Sequence, residues 1–265
     1  MTDYFEVHHR DGAARVGELR LADPVRTPTL ADDITVDAGS EWPEARELPE
    51  GDENELTILP HRGLPSGTPE EVADAFAPDY PAVDYPNAVV VSPDTVENFG
   101  ADAYVLSGAQ GIAGHAATLV ETMIDVSKSI PADSALYLPG IATPANVATL
   151  VHAGVDLVDT DRAVIKGTQG KYLTSDGEVF LEDLEELPCA CPACQQPAET
   201  VEREDCVEHN VNALRAELAR VRERIRAGRL RDYIEGQARH EQWLTATFRR
   251  LDQQYGYLEE RTPIV

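Results

Sequence analysis

Residues 135–159, ALYLPGIATPANVATLVHAGVDLVD, determine the fold class that the sequence predicts. Two short apolar runs, residues 135–138 and 156–158, are typical of strands that are buried on both faces of a sheet. Between them, Thr143 and Pro144 open a helix, because a threonine N-cap followed by proline at the first helical position is a common helix start. A strand, a helix and a second strand predict two parallel strands joined by a crossover helix.

The same alternation extends toward the amino terminus. Further helices are predicted to open at residues 68–71 (TPEE) and to cover residues 112–130. Because strand–helix alternation implies a parallel sheet, we expect an α/β fold of the TIM-type β/α barrel class, with functional residues at the carboxyl ends of the strands. The other predicted strands are residues 56–59, 88–91 and 103–106.

The first 54 residues have a different character. Residues 14–21 alternate apolar and polar side chains, which is the pattern of a half-buried strand. Residues 25–30 predict a second short extended segment. Residues 31–54 are acidic and contain Pro43 and Pro49, so we predict a loop there.

The motif Cys189-Ala-Cys191-Pro-Ala-Cys194, followed by His209, predicts a metal site. Three thiolates and one imidazole complete a tetrahedral shell for Zn²⁺, and a closed shell of protein ligands is structural rather than catalytic. The remaining cysteine, Cys206, precedes the histidine on the chain and could replace it as a ligand. The alternative is a set of buried or disulfide-bonded cysteines, an arrangement typical of small secreted chains.

The region from residue 207 to about residue 257 is predicted to be helical. Leu214, Leu218, Val221 and Ile225 recur at the spacing of an amphipathic helix, which Gly228 is expected to end before a second helix begins. Eleven of the nineteen arginines fall within residues 203–250. They form either a solvated helix face or a surface that contacts phosphates.

The charge balance indicates an unusual solvent. The 265 residues include 48 acidic and 22 basic side chains, for a net charge of −26, and only three of the basic residues are lysine. Such a composition is typical of a cytoplasmic protein from a high-salt organism, where a Debye length of about 3 Å at 1 M salt screens the repulsion between carboxylates. The acidic surface therefore does not exclude nucleic-acid binding. No apolar run approaches the roughly 18 residues of a membrane span.

Three stretches together resemble the tRNA-guanine transglycosylase superfamily. Residues 138–144 and 151–159 are similar to the family's glycine–proline turn, its helix and a late barrel strand that ends in an aspartate. Residues 170–177 (GKYLTSDG) are similar to the hairpin after that strand in archaeal members. The third stretch is the cysteine motif with His209 and the arginine-rich helix behind it. The resemblance implies a transglycosylase-like barrel over residues 1–186, with reduced elements. It also implies a zinc knuckle and an arginine-rich helical region over residues 187–265.

The resemblance also implies roles at the strand ends. Asp159 matches the aspartate that attacks the ribose carbon in active transglycosylases and is the candidate nucleophile. The candidate substrate-binding residues are Ser107, Gly108, Gly140 and Asp161, since glycines allow a base or a phosphate to approach the backbone closely.

A carboxylate nucleophile needs a second acid or base to move the proton of the departing base. The family's Asp-Ser-Gly motif, which supplies it, does not occur in this sequence, and residues 106–111 (LSGAQG) lack the acid. Asp94, Asp102 and Asp125 are candidates for that role by position only.

With these departures, the sequence most resembles the archaeosine synthase branch of the superfamily. That branch carries a decayed transglycosylase domain and converts the nitrile of 7-cyano-7-deazaguanine at tRNA position 15 toward archaeosine. Its chemistry is expected in a later domain with a Lys-Pro-Tyr motif, which this sequence lacks. The chain therefore resembles the amino-terminal part of such an enzyme, as a split gene product, a shortened chain or a fragment.

Three functional hypotheses follow from the resemblance. The first is a tRNA-modifying enzyme of the archaeosine synthase type, acting with another polypeptide that carries the nitrile-converting residues. The second is a non-catalytic, zinc-containing module for tRNA binding or dimerisation. The third is an active transglycosylase, against which the missing Asp-Ser-Gly motif argues. A homodimer is expected because members of the superfamily commonly pair through their zinc regions.

Overall fold

The computed structural model describes residues 4–39, 48–62, 71–72 and 80–260. In chain order the strands are β1 (Phe5–Asp11), β2 (Ala14–Leu19), β3 (Val25–Thr27), β4 (Thr29–Leu30), β5 (Thr35–Asp37), β6 (Leu56–Ile58), β7 (Asn87–Val91), β8 (Ala103–Leu106), β9 (Ala135–Tyr137), β10 (Leu157–Val158), β11 (Lys171–Thr174) and β12 (Gly177–Phe180). The helices are α1 (Ala109–Ile112), α2 (Ala116–Ser129), α3 (Val147–His152), α4 (Asp161–Thr168), α5 (Arg203–Arg226), α6 (Leu230–Gln237), α7 (Gln242–Gln253) and α8 (Tyr255–Glu260).

The central layer is a parallel sheet of seven strands in the order β4-β10-β9-β8-β7-β6-β5. Its two edge strands, β4 and β5, are consecutive along the chain and are separated only by residues 31–34. At one end of this segment the N–H of Ala31 donates to the carbonyl of Val158, and at the other end the carbonyl of Ile34 accepts from Leu56. The two edges of the sheet must therefore curl toward each other. This curled half-barrel confirms the prediction of a reduced β/α barrel.

Alternation along the strands separates two apolar cores. On β8, Tyr104 and Leu106 face the outer core, which the helices cover. Ala103 and Val105 face an inner core, where they pack with alternate residues of the neighbouring strands. Period-two alternation places residues of one strand on opposite faces, so the sheet is buried on both sides. This is why the strands read as continuous apolar runs in the sequence.

A second sheet closes the end of the barrel at which the parallel strands begin. β2 pairs antiparallel with both β1 and β3, so the strand predicted over residues 14–21 is confirmed. Phe5 and Leu19 from this sheet pack in the inner core. Asp102, at the beginning of β8, accepts a hydrogen bond from the backbone N–H of Tyr4. This sheet therefore covers the amino ends of the parallel strands and does not cover their carboxyl ends.

Three predicted boundaries change in the structure. The loop predicted over residues 31–54 contains strand β5, because β6 offers that segment a parallel partner. The helix predicted to open at Thr143 instead has Asn146 as its N-cap residue, since the Asn146 side chain accepts from the Thr143 N–H and holds a turn before α3. The helix predicted over residues 112–130 begins later, as α2 at Ala116, and the short helix α1 ends at Ile112. The predicted helix start at residues 68–70 lies outside the described residues.

Helix α5 carries the predicted apolar stripe. The side chains of Leu214, Leu218, Val221 and Ile225 are all buried in the core cluster that also contains the outer faces of the barrel strands. Gly228, with φ of +62°, follows the helix, as the sequence predicts. The long helix therefore packs directly on the barrel. Across the described residues, every helix is too short or too polar to cross a membrane.

Candidate functional site

Asp159 follows β10 at the carboxyl end of the parallel sheet. Its side chain is buried, with 5% of its surface exposed. The phenol of Tyr137, on the neighbouring strand β9, donates to Oδ2 of Asp159 over 3.0 Å. The backbone N–H of Gly140 approaches both carboxylate oxygens, at 2.9 and 2.8 Å. Two donors, one on β9 and one on the turn after it, therefore hold this carboxylate in one orientation at the carboxyl ends of the strands.

Gly140 can make this contact because of its backbone conformation. Its φ of +74° belongs to the left-handed region, which side chains with a Cβ rarely adopt. A Cβ at this position would also collide with the side-chain amide of Gln110. The glycine thus lets the turn after β9 aim its N–H at Asp159, and it brings Gln110 next to the site.

The environment of Asp159 makes it a weak acid. Burial raises the pKa of Asp159 to about 6, and the charges of Asp161 and Asp32 act in the same direction. Hydrogen bonds from Gly140 and Tyr137 oppose this effect, because they stabilise the ionised form. Burial and the neighbouring carboxylate together raise the pKa of Tyr137, so its hydroxyl remains a donor. A carboxylate with a pKa near neutrality can hold or release a proton under ordinary conditions.

A second aspartate, Asp32, reaches the same edge from the segment after β4. Its carboxylate accepts hydrogen bonds from the backbone N–H and the hydroxyl of Thr160, the residue that follows Asp159. Neither Asp32 nor Tyr137 was among the predicted site residues. The rule that functional residues follow parallel strands could have found Asp32, because it comes directly after the extended segment predicted over residues 25–30.

The other predicted substrate-binding residues lie at the same edge, but they do not all contact Asp159. Ser107 and Gly108 follow β8, and Gly108 has a φ of +70° at the start of α1. Asp161 is the exposed first residue of α4. Of these predicted residues, only Gly140 forms a described hydrogen bond with Asp159.

Two of the three candidates for a second acid are misplaced. Asp102 lies at the amino end of β8, where it accepts from Tyr4 and Asn87, on the opposite side of the barrel from Asp159. Asp125 is exposed on α2, outside the barrel. Only Asp94, in the loop after β7, lies at the correct end of the sheet. These candidates were chosen by position along the chain, which indicates neither the end of a strand nor the face of a helix that a residue occupies.

The four predicted metal ligands come together beside α5. The ligand atoms of Cys189, Cys191, Cys194 and His209 all lie within 4.8 Å of one another. Sγ of Cys191 is 3.6 Å from Sγ of Cys194, and Nδ1 of His209 is 3.6 and 3.3 Å from these two sulfurs. Zn–S bonds of about 2.3 Å in a tetrahedron would separate two sulfurs by about 3.8 Å. The cluster can therefore hold a metal ion of this size.

Contacts behind the cluster prepare His209 to be a ligand. Its Nε2–H donates to the carbonyl of Leu173 at 2.9 Å, so the lone pair of Nδ1 faces the sulfurs. Burial lowers the pKa of His209, which favours the neutral imidazole that a metal requires. The ring of Tyr172 stacks on the imidazole, with centroids 3.6 Å apart. Asn210 joins α5 to β11 through the backbone N–H of Leu173.

Cys206 lies outside this ligand set. The residue is fully buried, and burial raises the pKa of its thiol to about 11. Among the described residues, the metal-ligand cluster contains His209 and not Cys206. The geometry thus favours the first of the two ligand sets that the sequence left open, because His209 rather than Cys206 points toward the three sulfurs.

Sequence comparison identifies relatives of this chain. A family model described as queuine tRNA-ribosyltransferase matches residues 84–242. Archaeosine synthase of Haloferax volcanii is 62% identical over 265 residues, which are 100% of this chain and 45% of that protein. Archaeosine synthase subunit alpha of Methanosarcina acetivorans is 38% identical over 296 positions, with 99% of this chain and 47% of that protein covered. The chain therefore spans about half the length of these two relatives.

A third relative, a transglycosylase, is less similar to this chain than the two archaeosine synthases are. The tRNA-guanine(15) transglycosylase of Thermococcus onnurineus is 32% identical over 154 residues, which are 55% of this chain and 27% of that protein. The similarity to the archaeosine synthases is higher and extends over the whole chain. The family model covers more than half of the sequence and includes Asp159 and the cysteine–histidine cluster. The resemblance seen in the sequence is confirmed: the chain belongs to the queuine tRNA-ribosyltransferase family.

Proposed function

We propose that this chain is the transglycosylase-like part of an archaeosine synthase-type tRNA-modifying protein. It would bind tRNA that carries 7-cyano-7-deazaguanine at position 15 during archaeosine biosynthesis. The observation that carries the proposal is the 62% identity to the Haloferax volcanii archaeosine synthase over all 265 residues. The barrel supports it because a buried, oriented carboxylate lies at the carboxyl ends of the parallel strands, where β/α barrels hold their functional residues.

Asp159 would hold the modified nucleotide. A 7-deazaguanine base presents N–H donors on its Watson–Crick edge, and a fixed carboxylate accepts such donors well. Tyr137 and Gly140 keep the carboxylate in place before the substrate arrives, so little ordering is needed on binding. Ser107, Gly108 and Asp161 would approach the same nucleotide from the neighbouring strand ends.

Active base exchange is less favoured by the geometry. Attack of Asp159 on the ribose carbon would require a second group to protonate the departing base. Asp32 lies at this edge, but both of its carboxylate oxygens already accept hydrogen bonds from Thr160. Asp94 is exposed in the loop after β7. The transglycosylase hypothesis therefore depends on a rearrangement of one of these acids.

A basic platform beside Asp159 supports RNA binding. It consists of Arg162, Lys166 and Lys171, with Phe180 exposed to 49%. Lys166 and Lys171, two of the three lysines of the chain, share a single carboxylate, Glu178. This hydrogen bonding raises the pKa of Lys171, while the nearby charge of Arg162 lowers it. Cations next to an exposed aromatic ring are the chemistry that binds phosphates and stacks bases, although Glu182 and Glu185 line the same cavity as Phe180.

The cysteine–histidine cluster would hold Zn²⁺ in a structural role. Cys189, Cys191, Cys194 and His209 supply a closed shell, and the bound ion would add a cross-link between the cysteine loop and α5. Through Leu173, the same ligand shell is tied to β11, which carries Lys171. The ion would therefore stabilise the platform that approaches the tRNA.

Other parts of the proposal rest on composition and family resemblance. A barrel over residues 1–186 and a zinc-containing helical region over residues 187–265 remain our proposed division, although α5 shares a core with the barrel. A cytoplasmic location fits the charge of −26. We further propose a homodimer, and a second polypeptide or segment with the nitrile-converting residues. The name of the Methanosarcina acetivorans relative, a subunit alpha, is consistent with such an assembly.

The test combines tRNA binding with base exchange. The chain in molar KCl is mixed with archaeal tRNA and labelled guanine, alongside the variants Asp159→Asn and Asp125→Asn. The second variant is the matched control, because it removes an exposed carboxylate on α2. We expect tRNA binding that Asp159→Asn weakens about tenfold and Asp125→Asn does not, without incorporation of guanine.

Each other outcome has a distinct meaning. Incorporation that depends on Asp159 would establish the transglycosylase instead. If neither substitution changes tRNA binding and no guanine is incorporated, the non-catalytic module is favoured. Absence of any tRNA binding would contradict the proposed function.

A further inference from the structure

Three arginines that have few acidic partners lie together on the outside of the barrel. We name Arg26, Arg222 and Arg226 the arginine cluster. Arg26 is exposed on β3, whereas Arg222 and Arg226 lie on α5 one turn apart. Nη1 of Arg222 donates to the carbonyl of Pro28, two residues from Arg26, over 2.6 Å. This bond brings the end of α5 against the segment between β3 and β4.

The cluster is electrostatically unfavourable as it stands. Burial lowers the pKa of Arg222, and the charges of Arg226 and Arg26 lower it further. In the described part of the chain, the only carboxylate that pairs with the cluster is Glu223, which is 73% exposed and bonded to Arg226. The side chain of Arg26 forms no ion pair with any described residue. Two carboxylates compensate only part of this repulsion: Glu18 is the β2 neighbour of Arg26 in the strand register, and Glu223 acts on Arg222 against the two arginines.

Helix electrostatics account for only part of the cluster. The negative end of the α5 dipole favours Arg226 in its last turn. It does not account for Arg26, which comes from a different element, or for the placement of Arg222 between the other two charges. Convergence of cations from β3 and α5 on one point is the arrangement expected for an external anion.

Helix α5 connects the arginine cluster with the end of the barrel at which Asp159 lies. Arg215, on the same helix, pairs with Asp33, which follows the Asp32 of the strand-end site. From Arg215 to Arg226 the helix advances about 16 Å. A seam between α5 and the β3–β4 segment thus runs from the mouth where Asp159 lies to the cluster, which is at the other end of the barrel, beside β3. A strand of RNA whose nucleotide enters the mouth can continue along this seam.

We propose that the arginine cluster binds the phosphate backbone of the tRNA outside the nucleotide that occupies the barrel. This inference rests on the proposed function. RNA is favoured over a protein partner because none of the exposed large hydrophobic side chains of the described residues lies on β3 or α5. A protein interface normally needs such apolar anchors, whereas phosphate contacts need only fixed cations.

The experiment compares two pairs of substitutions that change the net charge equally. Arg26→Gln/Arg226→Gln removes two exposed cations of the cluster and spares Arg222, whose loss could disturb packing. The control, Arg231→Gln/Arg239→Gln, removes two arginines that are paired with Asp252 and Glu235 on α7 and α6. Affinity for archaeal tRNA is measured over the range of salt in which circular dichroism shows each protein folded.

We expect the cluster variant to bind tRNA about tenfold more weakly than the control. The slope of log K against log salt should fall by roughly 1.5, because each lost phosphate contact contributes about 0.7–0.9. Equal affinities and slopes for the two variants, with tRNA still bound, would overturn this inference alone. If the unaltered chain fails to bind tRNA, both the inference and the proposed function are contradicted.

Discussion

At the scale of single residues, the site depends on how one carboxylate is held. Asp159 is buried, and two donors on the adjacent strand and turn face it. The donors offset only part of the cost of burial, so the pKa of Asp159 is about 6 rather than near its ordinary value of 3.8. Ionisable groups whose pKa values are shifted by their surroundings are common at functional sites, and Asp159 is such a group.

This environment predicts how Asp159→Asn changes stability with pH. Because the folded pKa is raised, the contribution of Asp159 to stability is complete below about pH 4 and is lost as the pH rises through 6. The asparagine variant does not ionise. Its free energy of unfolding relative to the unaltered chain should therefore increase between pH 4 and pH 8, by roughly 2 kcal/mol.

Urea unfolding in molar KCl at both pH values measures this change. Asp125→Asn serves as the matched control, since its carboxylate is exposed on α2. If the stability difference between Asp159→Asn and the unaltered chain is the same at pH 4 and pH 8, the raised pKa is wrong.

At the scale of elements, the cysteine loop, the β11–β12 hairpin and α5 form one unit. His209 on α5 contacts both the sulfur cluster and the carbonyl of Leu173 on β11. Asn210, the next residue, accepts from the N–H of Leu173 and donates to the carbonyl of Lys171. The helix therefore aligns the hairpin and the cysteines at the same point. A metal ion bound there would contribute to the folding of all three segments.

Metal analysis of two cysteine variants tests the ligand set. We expect about one zinc ion per chain in the unaltered protein, close to none in Cys191→Ala, and about one in Cys206→Ala. Cys206 is the matched control because it is a buried thiol three positions before His209 and outside the cluster. Loss of zinc in Cys206→Ala with retention in His209→Ala would reverse the assignment. Zero zinc in the folded, unaltered chain would exclude the site.

At the scale of the whole molecule, the net charge disfavours the compact folded state. The chain carries a net charge of −26, and its compact barrel brings those carboxylates closer together than they are in the unfolded state. The repulsion disfavours folding unless salt screens it. Within the same molecule, the basic platform and the arginine cluster remain positive. RNA would therefore be attracted by these two local groups of cations, although the rest of the surface is acidic.

The charge predicts that salt stabilises the fold. Raising KCl from 0.5 M to 3 M should increase the midpoint of thermal unfolding, since self-repulsion weakens as the Debye length falls to about 3 Å or less. A gain of about 2 kcal/mol corresponds to roughly 4–8 °C for a domain of this size. Sucrose is the control, because it favours compact states without screening charge. An equal effect of sucrose and KCl would contradict the electrostatic explanation.

Local patterns in the sequence were sufficient for several features. Apolar runs identified the parallel strands, since a strand buried on both faces has no polar alternation. Cysteine spacing identified the metal-ligand set, because three of its ligands lie within six residues. The position of Asp159 directly after an apolar run placed it at a strand end. Each of these features depends on residues that are neighbours along the chain.

Tertiary structure alone decided the features that join distant residues. The pairing of β4 with β10 and of β5 with β6 closes the sheet through one short segment, and no local pattern indicates these partners. Packing likewise brought Asp32 to Thr160, excluded Cys206 from the sulfur cluster, and brought Arg222 to Pro28 across 194 positions. A sequence records local preferences directly, whereas such contacts arise only when buried surfaces of separate elements meet in the folded core.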